Sequence, residues 1–313
     1  MTAVRYGDLV ADVAEGETAL DALIRSGAPV RHACRAGSCG SCMLKVVDGV
    51  PSTASQAGLK DAWKARGYFL PCVCRPDGDL TVAELDADAR MPGTIVGLDP
   101  LSADVLRVRL TVDGPFVYRP GQFLTIVRSD GLARSYSIAS LPDEPWLELH
   151  VRLLPHGRMS GWLRNDARIG ERVAVLGPSG DCFYIPGRPE QPLLLAGTGT
   201  GLSPLYGILR DALRHGHTGP MHLVHGALRA SGLYLQGALR DLAQAHGQVD
   251  YVPTVLDQDG PLEQVILGRF AATGWRAFLC GDPTLVTGLR KKLFLSGLAL
   301  KDIHADAFLP AAG

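Results

Sequence analysis

Four of the seven cysteines in this chain stand at a spacing that few folds can accommodate. Cys34, Cys39 and Cys42 lie in CRAGSCGSC and Cys72 lies in FLPCVC, giving Cys-x4-Cys-x2-Cys-x29-Cys. Three thiolates on one tight loop and a fourth on a remote segment form the ligand set of a plant-type [2Fe-2S] cluster. The small residues Ala36, Gly37, Ser38, Gly40 and Ser41 let backbone N–H groups turn toward the cluster sulfurs, which tunes the potential. A disulfide framework suits short secreted chains. This chain has 313 residues, an odd cysteine count and a start, MTAVRYGDLV, that does not read as a signal peptide. Zinc would ask for paired Cys-x2-Cys knuckles, and only one such pair is convincing. The fourth ligand has two candidates, because Cys72 and Cys74 are two apart and face the same side of an extended segment. Cys72 fits the spacing, and Cys74 is read as a bystander thiol.

The length predicts two or three domains. With 31 Lys plus Arg against 32 Asp plus Glu, no polybasic surface argues for nucleic acid or an anionic membrane. No apolar run approaches the roughly 20 residues needed to span a bilayer. The expectation is a soluble enzyme or electron carrier in the cytoplasm, where thiols stay reduced for cluster assembly.

Residues 1–88 read as a small α+β domain, with strands around Val4 to Val10 and Met43 to Val47 and a helix in TALDALIRSG that Thr18 caps and Gly27 ends. This part carries 9 basic and 12 acidic residues, an excess better explained by a solvated surface than by a dedicated partner. ELDADARMPG is polar and proline-marked and reads as a linker. Residues 93–187 contain a succession of short strands separated by Gly, Pro and Asp turns, the grammar of an antiparallel barrel. From residue 188 to 313 buried apolar strands alternate with helices, which predicts a parallel α/β sheet.

Within the barrel segment, Arg134, Ser135, Tyr136 and Ser137 offer a cation, hydroxyls and a ring, the groups that bind a flavin nucleotide's pyrophosphate and isoalloxazine. His150, Val151 and Arg152 on the strand LELHVRLL are further candidate contacts. Gly157, Arg158, Met159 and Ser160 open a helix, where free N–H groups suit phosphate. In the α/β segment Gly197, Thr198, Gly199, Thr200 and Gly201 join a buried strand to a helix, as a pyrophosphate loop does. This is not GxGxxG, since the third glycine position falls on Leu202. Cys280, Gly281, Asp282 and Pro283 end another buried strand at the carboxyl edge where open α/β sheets bind ligands.

CRAGSCGSC, FLPCVC, RSYS, GTGTGLSP and CGDP, in this order, resemble the reductase components of bacterial aromatic-ring oxygenase systems over essentially the whole chain. The closing HADAFLP is especially similar to naphthalene dioxygenase-type reductases. The resemblance implies a β-grasp ferredoxin domain, an antiparallel β-barrel binding FAD and an α/β parallel-sheet NAD(P)-binding domain. It also implies that Phe308 covers the flavin where nicotinamide enters, that Asp306 lies near the flavin edge and that Cys280 shares in catalysis. The implied activity is electron splitting. NADH gives a hydride to FAD, which passes electrons singly to the [2Fe-2S] cluster and on to a ferredoxin or a terminal oxygenase, with the protein acting as a monomer. A plant-type cluster near about −400 mV can drive a Rieske centre at roughly −150 to +300 mV. His215, His217, His222 and His225 are read as surface or sheet residues and not as ligands.

One segment departs from this pattern. Where relatives read Gly-x-Arg and then Asp-Leu-Tyr, this chain has Gly226-Ala227-Leu228-Arg229-Ala230-Ser231-Gly232-Leu233-Tyr234. Leu228 takes the arginine slot, and Arg229, one residue later, is the remaining cation for an adenosine ribose or 2′-phosphate. The choice between NADH and NADPH therefore stays open. A second reading also stands: a reductase-like flavoprotein that reacts poorly with nucleotide and serves a transcriptional regulator as a redox-responsive partner.

Overall fold

The computed structural model describes residues 2–59, 61–86, 89–270 and 273–309. Three sheets follow one another along the chain.

The first sheet begins with an antiparallel pair, β1 (Thr2–Tyr6) and β2 (Leu9–Val13), turned by Gly7 in a left-handed conformation. Helix α1 (Ala19–Arg25) follows. Thr18 Oγ1 accepts from the Asp21 amide at 3.2 Å, and Gly27 at φ 87° terminates the helix region. Strand β3 (Leu44–Asp48), a short helix α2 (Asp61–Ala65), β4 (Tyr68–Phe69) and β5 (Leu80–Ala83) complete the order β2-β1-β5-β3-β4. The polar stretch after β5 is tied down: the Asp86 carboxylate accepts from Lys45, Arg66 and Tyr68. Residues 87 and 88 lie outside the described residues, and the next strand already starts at Met91, inside the sequence expected to act as a linker.

Strands β6 (Met91–Pro100), β7 (Val105–Val112), β8 (Phe123–Val127), β9 (Ala133–Ser137), β10 (Leu147–Arg152) and β11 (Arg172–Ser179) form an antiparallel sheet ordered β10-β7-β6-β11-β8-β9. A bridge from Ile138 to Leu149 joins its two ends and closes the barrel. Helix α3 (Arg158–Asn165) lies between β10 and β11. Leu124, Ile126, Leu149 and Val151 alternate inward to fill the barrel.

Strands β12 (Leu193–Thr198), β13 (Met221–Ala227), β14 (Val249–Val255), β15 (Arg276–Gly281) and β16 (Ile303–Ala307) are all parallel, in the order β14-β13-β12-β15-β16. Helices α4 (Leu202–Arg214), α5 (Gln236–Ala245), α6 (Leu256–Asp259), α7 (Leu262–Arg269) and α8 (Pro283–Leu295) connect them. The chain runs outward from β12 through β13 to β14 and then returns to β15 on the other side of β12. The crevice between the carboxyl ends of β12 and β15 is thus the topological switch point, where such sheets bind ligands. Among the described residues no helix is long and apolar enough to cross a membrane.

The sheets are joined by packing. Val127, Ala133 and Leu176 of the barrel belong to the same apolar cluster as the first domain's Leu20, Leu44, Phe69 and Leu70.

Candidate functional site

A single cleft of about 2360 Å³ runs from the cysteine loop past β9 and the start of α3 to the carboxyl edge of the parallel sheet. It brings together most of the sequence-predicted residues, although they come from all three sheets.

At one end the thiols pair two by two. The Cys34 and Cys39 thiols influence each other's proton, as do those of Cys42 and Cys72. The Ala36 and Cys39 amides and the Ser38 hydroxyl point at Cys34 Sγ at 3.4, 3.5 and 3.4 Å. Arg35, Gly37 and Gly40 have φ of 53°, 73° and 70°, which is what turns successive amides inward. The Cys39 side chain, the Ser38 hydroxyl and the Ala36 amide hold the Cys34 thiol down at about 4 against burial, while sharing a proton with Cys34 pushes Cys39 up and sharing one with Cys72 pushes Cys42 up. Among the described residues no three His, Cys, Asp or Glu side chains gather around a single ion. Two thiol pairs with inward amides suit two irons, each taking two thiolates, so the donor set fits a [2Fe-2S] cluster. Cys74 is fully buried, and its carbonyl accepts from the Ala19 amide at the start of α1 at 2.8 Å.

In the middle, Arg134, Ser135, Tyr136 and Ser137 line the cleft opposite Gly157, Met159 and Ser160. Arg134 Nη1 donates only to its neighbour's carbonyl, that of Ala133, at 2.7 Å. It has no carboxylate partner among the described residues. The start of α3 carries no side-chain cap, leaving its first amides open to the cleft. An unpaired guanidinium and an uncapped helix start facing one cavity fit the pyrophosphate of a flavin dinucleotide. His150 and Arg152 also line the cleft, but Val151 does not. Strand alternation turns the Val151 side chain into the barrel core, so only its backbone faces outward. His150 is buried between Glu148 and Tyr234, 3.0 Å from each, and burial holds its pKa below the usual value.

At the far end, Thr198, Gly199 and Thr200 line the cleft, while Gly197 and Gly201 lie beneath it. A Cβ on Gly201 would stand 2.2 Å from the Cys280 carbonyl oxygen, and one on Gly197 2.6 Å from it. These two glycines allow the close approach of the β12 loop to β15, and Thr198, Gly199 and Thr200 are the loop residues that face the cleft. Cys280 also stands back from the cleft. It is fully buried with its Sγ 3.7 Å from Cys182 Sγ, and burial raises it well above the usual thiol range. It stands behind Asp306 as a neutral thiol and does not line the cleft. Asp282 spends its carboxylate capping α8, accepting from the Thr284 and Leu285 amides at 2.9 and 3.1 Å. Gly281 and Pro283 line the cleft beside it.

Asp306 faces the cleft, and its carboxyl is pushed up to about 6, first by burial and further by the nearby Asp181. The Phe308 amide donates to the Gly281 carbonyl at 2.8 Å, which holds the terminal segment along the cleft wall. Arg229 is exposed at the adenosine end beside Leu228, which is 66% exposed. Leu256, which follows the last residue of β14, is another exposed apolar side chain lining the cleft. Of the four histidines, His222 and His225 lie on β13, His217 is buried outside the strands, and His222 pairs with Asp250 at 3.0 Å.

Two residues escaped the sequence reading. Ser203, in GTGTGLSP, donates to the Ser137 carbonyl at 3.0 Å and joins the nucleotide sheet to the flavin motif. Thr125 is a hydroxyl in the otherwise apolar strand FLTIV, and that break in the apolar run was its only signal.

Three family profiles match the chain: a 2Fe-2S iron-sulfur cluster binding domain over residues 7–77, an oxidoreductase FAD-binding domain over 93–184 and an oxidoreductase NAD-binding domain over 195–291. The chain is 33% identical over 316 residues to the reductase component of the naphthalene 1,2-dioxygenase system of Pseudomonas putida, covering 94% of each protein. It is also 33% identical over 336 residues to the reductase subunit of an aromatic O-demethylase from an Amycolatopsis species, covering 99% of each. The crystal structure of the Amycolatopsis cytochrome P450 reductase GcoB superposes with a TM-score of 0.69 at 30% identity, over 100% of both chains. The ferredoxin reductase of a carbazole 1,9a-dioxygenase shares the fold, with a TM-score of 0.66 at 24% identity over 98% of both chains.

Proposed function

The chain belongs to the family of NAD(P)H-dependent reductase components of bacterial aromatic-ring oxygenase systems, and from that premise we propose how its own residues divide the work. The bound groups supply two-electron chemistry at nicotinamide, conversion between two-electron and one-electron steps at FAD and one-electron storage at a [2Fe-2S] centre. Cys34, Cys39, Cys42 and Cys72 hold the cluster, and the left-handed turns at Arg35, Gly37 and Gly40 aim amides at its sulfurs. Arg134 and the start of α3 take the FAD pyrophosphate, with Ser135, Tyr136 and Ser137 along the ring. Thr198, Gly199 and Thr200 take the nucleotide pyrophosphate at the switch point. Asp306, Ser137 and Phe308 bound the place where nicotinamide and flavin meet. The acceptor is a ferredoxin or an oxygenase component, and the protein works as a cytoplasmic monomer.

The observation that carries this reading is the single cleft joining cysteine loop, flavin motif and switch point. Steady-state NADH oxidation by cofactor-loaded protein with a ferredoxin or cytochrome c as one-electron acceptor tests it. Rapid acceptor reduction is expected.

One observation favours a second reading. Leu228 lines the cleft beside Arg229 with its side chain exposed, and an apolar group there offers a nucleotide no charge to bind, which suits a redox-responsive partner of a transcriptional regulator. Failure to oxidise either nucleotide, in protein whose cofactors dithionite reduces, would select it.

A further inference from the structure

Thr125 lies on the barrel side of the contact between barrel and cysteine loop. Its barrel neighbours Val127, Ala133 and Leu176 are apolar and pack into the first domain's core. Thr125 is 2% exposed, so its hydroxyl is the polar group set into this apolar seam. Its Oγ1 donates to the backbone carbonyl of Cys39 at 2.7 Å and lies 2.8 Å from Ser135 Oγ, its cross-strand partner in the β8–β9 register.

A hydroxyl has one proton. Thr125 gives its proton to Cys39, so the bond to Ser135 requires Ser135 to donate. The Ser135 proton therefore points away from the cleft, and Ser135 presents only lone pairs to whatever occupies it. A valine would fill the same apolar seam but would leave the Cys39 carbonyl and the Ser135 hydroxyl without their Thr125 partner, so what threonine adds here is its hydroxyl.

We propose that Thr125 is the positioning residue for electron transfer between flavin and cluster: one hydroxyl fixes the Cys39 loop and the Ser135 acceptor in a single frame. This rests on the assignment of Cys39 to the cluster and Ser135 to the flavin made above. Transfer between two redox centres depends steeply on their separation and orientation, and the protein's part is to hold both constant.

Thr125→Val removes the hydroxyl and Thr125→Ser keeps it. Anaerobic stopped-flow mixing of cofactor-loaded protein with NADH resolves flavin bleaching from cluster bleaching, and hydrogen exchange of residues 36–42 in the oxidised protein reports loop opening. In Thr125→Val the cluster phase should slow roughly tenfold relative to the flavin phase, and loop exchange should quicken by about tenfold, as loss of one buried hydrogen bond implies. Thr125→Ser should restore both to within about twofold. Wild-type ratio and wild-type exchange in Thr125→Val would overturn the proposal, and so would a Thr125→Ser variant as slow as Thr125→Val. If the wild type shows no cluster phase with NADH, the functional assignment fails instead, and the exchange comparison still decides for or against Thr125.

Discussion

Ser137 Oγ donates to Asp306 Oδ2 at 3.3 Å, joining the last residue of a barrel strand to the last strand of the parallel sheet. The contact fixes the two domains against each other where two cofactors must meet. It also gives Asp306 its setting: burial first, then Asp181, raises its pKa, with the Ser137 hydroxyl opposing them. The neutral Cys280 lies behind it.

Because the folded-state pKa of about 6 lies above the ordinary 3.8, the stability this carboxyl contributes is fully present below pH 3.8 and lost as pH rises through 6. Asp306→Asn keeps an acceptor for Ser137 and removes the buried charge. The cofactor-free variant should therefore be more stable than wild type at pH 7.5, by at most about 3 kcal/mol, with the gap closing toward pH 4. Denaturant midpoints at both pH values check this.

Cys72→Ser should abolish the normal [2Fe-2S] absorbance and EPR signature after reconstitution. Cys74→Ala should keep both and lose about 1 kcal/mol of stability, because Cys74 packs in the core and caps α1 through its backbone alone. Cluster formation in the former variant would reassign the fourth ligand.

Arg134→Ala should weaken FAD binding about 10- to 100-fold, the range for one charge-assisted contact, with little change in fold because its guanidinium has no carboxylate partner among the described residues. Flavin release on dilution, followed by fluorescence, measures it.

Gly201→Ala forces a methyl against the Cys280 carbonyl, so the β12 loop must move away from β15. A rise in the NADH KM together with a loss of about 1–3 kcal/mol is expected. A variant with wild-type KM would show that this packing does not shape the nucleotide site.

Arg229→Ala tests the adenosine end. If Arg229 meets a 2′-phosphate, the NADPH KM rises roughly tenfold while the NADH KM moves less than about twofold.

The four cysteines and the order of motifs were legible because a metal cluster and a pyrophosphate loop impose local spacing that chance rarely meets. Thr18 and Gly27 marked α1 for a similar reason, since caps are local chemistry. What escaped depends on contacts between distant strands. Gly197 and Gly201 read as phosphate-loop glycines, and only the fold shows the Cys280 carbonyl packed against them. Val151 and Cys280 sit in motifs yet turn inward, because strand alternation fixes side-chain direction only once sheet faces are known. Thr125 could be recognised only after β8 was seen against the cysteine loop. Asp282 was read as a ligand from its place after β15; it lines the cleft there and its Oδ1 also caps its own helix, a second role that the motif alone does not show.

The most direct test is an anaerobic absorbance titration of cofactor-loaded protein with NADH, then NADPH, following flavin and iron-sulfur bleaching together. The assigned order of cofactors requires that at least one nucleotide bleach both, flavin first and cluster after it. Bleaching by dithionite but by neither nucleotide would contradict it.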